Sequence, residues 1–125
     1  MKTIKVALIE DDDAIVQMYT LAFSVKPGFE VRVANDGAKG LELVASFNPD
    51  IILLDMMMPR MSGVETLTRL RKLPHGEKYN VIALTNMKDA DTVAKIKQLH
   101  VSDYLVKAEQ SPATLIKRIR DILGN

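Results

Sequence analysis

The chain has no cysteine, which excludes disulfides, thiolate metal sites and thiol nucleophiles and accords with a reducing compartment. It has no excess of either charge. Seventeen basic residues face sixteen acidic ones, a net of +1, so overall charge makes no case for nucleic acid or an anionic membrane as partner. No apolar run approaches the roughly 20 residues of a membrane span. Lys2 and Lys5 frame a short alternating segment where a signal peptide would need an apolar core. A glycine-rich phosphate loop is missing. His75 and His100 fall in a loop and just before a strand, so no Ser/His/Asp triad takes shape. At 125 residues the chain can bury about two thirds of its unfolded surface but has no room for a second domain. The expectation is a cytoplasmic protein whose residues 1–125 form one domain.

What is present centres on residues 51–63. Four apolar residues, Ile51, Ile52, Leu53 and Leu54, deliver one acid, Asp55; the chain then breaks through Pro59 and restarts at Ser62 and Gly63. A strand apolar at every position is covered on both faces, which predicts a parallel sheet wrapped by helices. In such sheets ligands sit outside the carboxyl ends of the strands. An Asp at a strand end serves equally well to cap the next turn, so Asp55 needs partners before it means a site.

The rest of the chain supplies them. Ile4 to Ile9 reads as a first strand running into Glu10, Asp11, Asp12 and Asp13, before a helical pattern of Ile15, Met18, Tyr19 and Ala22. Asp12 or Asp13 suits a helix cap, where the macrodipole favours carboxylates; Glu10 and Asp11 lie at a strand end, as Asp55 does. Phe29 to Ala34 alternates as an edge strand, and Ala38, Leu41 and Ala45 mark the expected buried stripe of a second helix. Ser62 and Glu65 have capping-box spacing for a third helix with Val64, Leu67 and Leu70 inward. Asn80 to Leu84 is a fourth strand ending at Thr85 and Asn86, followed by a helix carrying Val93 and Ile96. Val101 to Val106 is a fifth, handing over to Lys107. Ser111 and Pro112 open a last helix with Leu115, Ile116, Ile119 and Ile122 inward, stopped by Gly124. The pattern is (βα)5, a doubly wound α/β fold.

Strand ends therefore bring Glu10, Asp11, Asp55, Thr85 and Lys107 to one rim. Three carboxylates held together repel unless a cation neutralises them. Oxygen ligands alone favour a hard ion such as Mg2+. A carboxylate beside Mg2+, a lysine and a hydroxyl is a set of parts for phosphoryl transfer, with Asp55 as nucleophile.

On these residues the sequence resembles the receiver domain of two-component response regulators, close to the stand-alone chemotaxis type. The matching pieces are Ile9 to Asp12, Asp55 with Met58, Pro59 and Gly63, Leu84 with Thr85, and Asp103 to Lys107. The resemblance implies a flavodoxin-like five-stranded parallel sheet of order 2-1-3-4-5. It implies Asp55 as phosphoacceptor; Mg2+ bound by Asp11 and Asp55, by Glu10 through water and by the Met57 backbone carbonyl; and Thr85 and Lys107 as phosphoryl ligands. Tyr104 would be the aromatic that turns inward when Thr85 moves. The implied donor is a histidine kinase or phosphotransfer protein. The implied output is an unidentified protein target read through the face formed by the fourth helix, fifth strand and fifth helix, with no nucleic acid or membrane contacted directly.

The departures lie at the site mouth. Asn86 stands where the family commonly has a small residue. Ala108 replaces the proline that usually follows the lysine in a cis peptide, so the Lys107-Ala108 bond is expected to be trans or strained cis. Met57 and Met87 put apolar side chains where the attacking water should pass, which predicts slow autodephosphorylation. A phosphate-independent interaction module conflicts with the intact set of Asp11, Asp55, Thr85 and Lys107, and a phosphohydrolase would want an acid where Met57 stands.

Overall fold

The computed structural model of the protein describes residues 3–86, 90–107 and 111–124. Among them five strands, β1 (Ile4–Ile9), β2 (Phe29–Ala34), β3 (Ile51–Asp55), β4 (Asn80–Thr85) and β5 (Asp103–Val106), alternate with α1 (Asp13–Ser24), α2 (Gly37–Phe47), α3 (Gly63–Arg71), α4 (Ala90–Gln98) and α5 (Pro112–Leu123). The strands pair in parallel as one sheet of order β2-β1-β3-β4-β5. This is the expected doubly wound fold.

Strand alternation sends successive side chains to opposite faces, and two cores follow. Ala7, Ile9, Ile52, Leu54, Val81 and Ala83 meet Val44, Phe47, Leu67, Leu70 and Ile96 of α2, α3 and α4. Val6, Leu8, Ile51, Leu53, Ile82 and Leu84 meet Tyr19, Phe23, Leu115, Ile116 and Ile119 of α1 and α5. All five residues of β3 are buried, as a central strand covered on both faces requires.

The local rules hold at most helix ends. Asp12 caps α1 by accepting from the Ala14 and Ile15 amides, Ser111 caps α5 ahead of Pro112, and Gly124 ends α5 at φ +76°. Ser62 accepts from the Glu65 amide at 3.2 Å, but the Glu65 carboxylate turns to Arg69 at 3.5 Å, so only half of the reciprocal box forms. Of the stripe expected on α2, Leu41 packs against the core but the two alanines do not. Ala38 and Ala45 are exposed, and the buried face is Gly37, Gly40, Val44 and Phe47. At Gly40 the helix lies so close to the sheet that a Cβ would stand 2.7 Å from Ile9 Cδ1. β5 starts two residues later than expected, after His100 turns the chain at φ +60°. Met18, expected inward on α1, is exposed.

One buried cation is not flagged by the apolar pattern of the sequence. Arg71, at the end of α3, donates to the carbonyls of Gly76 and Tyr79 before β4 and of Leu99 and His100 after α4, at 2.7–2.9 Å. It thereby ties two connections together, the one before β4 and the one before β5. The spacing from Leu67 to Arg71 puts it on the inward stripe, which is the signal that could have found it.

Candidate functional site

The site lies at the carboxyl ends of β1, β3, β4 and β5. β3 carries Asp55 up to the rim, where it is 2 % exposed. The chain cannot run on, because Gly63 at the start of α3 packs back on the strand end: a Cβ there would stand 2.7 Å from the Asp55 carbonyl oxygen. The intervening loop turns the Met57 amide towards the acid, and that N–H donates to Asp55 Oδ1 at 3.0 Å.

Glu10 is fully buried one residue past β1. Its alternation parity is that of Val6 and Leu8, and Asp55 shares the parity of Ile51 and Leu53, so both acids face the α1 and α5 side. Carboxylate oxygens of Glu10, Asp11 and Asp55 all lie within 4.8 Å of one another, with Asp11 exposed and the other two buried. Lys107, just after β5, reaches across to Glu10 Oε1 at 2.5 Å and Asp55 Oδ1 at 3.1 Å.

The charges settle accordingly. Burial pushes the Glu10 carboxyl up to about 7, helped by its hydrogen bond to Asp55 and opposed by Lys107. Burial acts on Asp55 in the same sense, but the hydrogen bonds from Glu10 and the Met57 amide and the charge of Lys107 outweigh it and hold Asp55 below the usual carboxylate value. For Lys107 burial is likewise overcome, here by the two acids, and its value is raised. Of the buried pair Glu10 is thus the one that holds a proton more readily, Lys107 contacts both acids, and an exposed third acid stands beside them. A hard divalent cation fits this oxygen donor set and would take the proton's place.

Thr85 ends β4 fully buried. It shares the parity of Val81 and Ala83, hence the α2, α3 and α4 face, and Tyr104 pairs with Ala83 on that same face. The structure thus puts Thr85 and Tyr104 on one side of the sheet and Asp55 on the other, with Thr85 at the rim between. Asn86 is exposed and lines an open cleft of about 260 Å³ with Glu10, Asp11, Asp12, Ile15, Asp55, Met57 and Lys107. Met87, Ala108 and the Lys107-Ala108 bond lie outside the described residues. A larger groove of about 550 Å³ beside β2, with Asp13, Lys39 and Glu42 on its walls, contains none of the strand-end acids. Ile15 and Tyr19, on the stripe expected to face the core, also line a smaller hollow beside Asn86 and Lys107.

Among the described residues no helix is long and apolar enough to cross a membrane. Comparison with known proteins agrees with the geometry. The chain is similar to the transcriptional regulatory protein AfsQ1 of Streptomyces coelicolor, 36% identical over 116 residues that make up 93% of this chain and 49% of that protein. It is 31% identical over 103 residues to the regulatory protein AtoC of Escherichia coli, covering 82% of this chain and 22% of AtoC. The chain spans half or less of the length of these curated relatives. Among solved structures, the chemotaxis protein CheY4 of Vibrio cholerae superposes with a TM-score of 0.87 at 27% identity, covering 96% of this chain and 98% of that one. The family model of the response regulator receiver domain matches residues 6–120, and the chain belongs to that family of phosphorylation-switched signalling domains.

Proposed function

We propose that this domain accepts a phosphoryl group on Asp55 from a histidine kinase or phosphotransfer protein and passes the change to a protein partner. The observation that carries this reading is the contact of Lys107 with both Glu10 and Asp55 at the rim. A cation-poised carboxylate beside two further acids is the arrangement phosphoryl transfer needs. An Asp55 oxygen attacks phosphorus, the bond from phosphorus to the donor nitrogen breaks, and that nitrogen leaves with a proton. Lys107 moves off Glu10 onto a transferred oxygen, and the Thr85 hydroxyl takes another. Asp11, Asp55, the Met57 carbonyl and, through water, Glu10 would hold Mg2+. When bound, Mg2+ neutralises charge on the transferred oxygens.

Thr85 and Tyr104 share a sheet face, so a shift of Thr85 towards the phosphoryl group opens room for Tyr104 to turn inward, and the α4, β5 and α5 surface changes. Lys95, Lys97 and Asp103 lie on that surface, with Asp103 paired to Arg118 of α5 at 3.2 Å. The domain acts as a cytoplasmic receiver that turns over nothing but its own phosphoryl group. Asn86 over the mouth slows phosphodonor entry or adds a hydrogen bond to the phosphoryl group, and Met57, apolar and exposed, slows the water that would remove it.

Intact mass after incubation with Mg2+ and phosphoramidate tests this. The expected result is a Mg2+-dependent gain of one phosphoryl group, absent in Asp55→Asn. No gain from phosphoramidate, from Asn86→Ala or from a cognate kinase would overturn the reading in favour of a phosphate-independent module.

A further inference from the structure

The chain has neither cysteine nor tryptophan but seven methionines, so mild oxidants find their most reactive targets in thioethers. Three methionines are consecutive at the site, and the fold treats them differently. Met56 and Met58 are 4 % and 8 % exposed and pack into the core beneath α2, α3 and α4. Met57 is 57 % exposed, more than Met18 at 43 %. It lines the cleft of Asp55, Glu10, Asp11 and Lys107, and its own amide holds Asp55 Oδ1. Oxidation follows exposure. Among the described methionines, the most exposed is thus the one that walls the carboxylate.

We infer that Met57 is an oxidation site whose thioether-to-sulfoxide conversion shortens the lifetime of a phosphoryl group on Asp55. A peroxide supplies the oxygen. The sulfur loses two electrons and takes one peroxide oxygen, the O–O bond breaks, and the other oxygen leaves as water. The product replaces an apolar wall with a strong acceptor at the edge of the cleft. That oxygen can hold a water against phosphorus. The water attacks, the bond from phosphorus to the Asp55 oxygen breaks, the carboxylate is restored, and the water's proton leaves with the phosphate. One added hydrogen bond corresponds to about a fivefold change in rate. Methionine sulfoxide is enzymatically reducible, so the change is reversible. The inference rests on Asp55 as phosphoacceptor.

The experiment treats the full chain with limiting hydrogen peroxide, maps oxygen uptake by peptide mass, and then follows loss of the phosphoryl group by intact mass after Mg2+ and phosphoramidate. The expected result is uptake at Met57 ahead of Met56 and Met58, with a phosphoryl lifetime about fivefold shorter that methionine sulfoxide reductase restores. Met57→Leu, which keeps the oxidisable Met18, should show the same lifetime before and after peroxide. Uptake at Met56 or Met58 as fast as at Met57 overturns the site. Equal lifetimes of oxidised and reduced protein, or an equal shortening in Met57→Leu, overturns its effect. Failure of the unoxidised chain to take up phosphoryl overturns the reading of Asp55 itself, and the effect of the sulfoxide with it; the oxygen map tells that case apart.

Discussion

Residue identity at strand ends decides the site, and one residue far from it decides much of the stability. Arg71 is buried and bonded to four carbonyls. Removing the cation leaves those acceptors without a donor, and an unsatisfied buried polar group costs about 1–3 kcal/mol. Arg71→Leu should therefore lower unfolding stability by about 2–4 kcal/mol, read from urea denaturation, while a Mg2+-dependent phosphoryl gain on the folded fraction persists. Glu10, Asp55, Thr85 and Lys107 were legible because each ends an apolar run, where an ionisable or polar group has no packing reason to be. Arg71 was not, because a basic residue near a helix C-terminus ordinarily faces water and complements the dipole. Its one sequence signal, the four-residue step from Leu67 onto the inward stripe, is outweighed by that rule, and the contacts with segments distant in sequence decide between the two.

At the scale of elements, all five strands were readable from composition and period. The buried face of α2 was not. An apolar count predicts Ala38, Leu41 and Ala45 inward; Leu41 does pack on the core, but in place of the alanines the helix turns Gly37 and Gly40 to the sheet so that its axis can come close. A glycine contributes nothing to an apolar stripe, and its role appears only where Ile9 fills the space a side chain would take. Gly40→Val should destabilise the protein by about 1–3 kcal/mol, the usual cost of overpacking a core, although valine is the better helix former. A thermal melt of the variant with unchanged or raised Tm would show that α2 can move outward freely. β5 began later than its apolar run because His100 adopts a left-handed turn and Ser102 donates to the Val81 carbonyl before the ladder proper starts.

For the whole molecule, pH tests the linkage between site and fold. Unfolded Glu10 titrates at 4.5, and in the fold it holds its proton up to about 7. Between those values the folded state binds more protons, so stability contributed by Glu10 falls as pH rises and is greatest below 4.5. In metal-free protein the stability of Glu10→Gln relative to the natural chain should move in the variant's favour from pH 4.5 to about 7, measured by denaturant titration at several pH values. A constant difference would mean that Lys107 keeps Glu10 ionised throughout. The Arg71 clasp bears on motion as well. α4 has nine residues, about 13 Å of rod, and the carbonyls just beyond its last turn are gripped while its other end follows the Thr85 loop. A rod held at one end swings instead of sliding, so in the proposed switch α4 would act as a lever with its fulcrum at Arg71, and a small displacement near Thr85 would reach the surface as a change of angle.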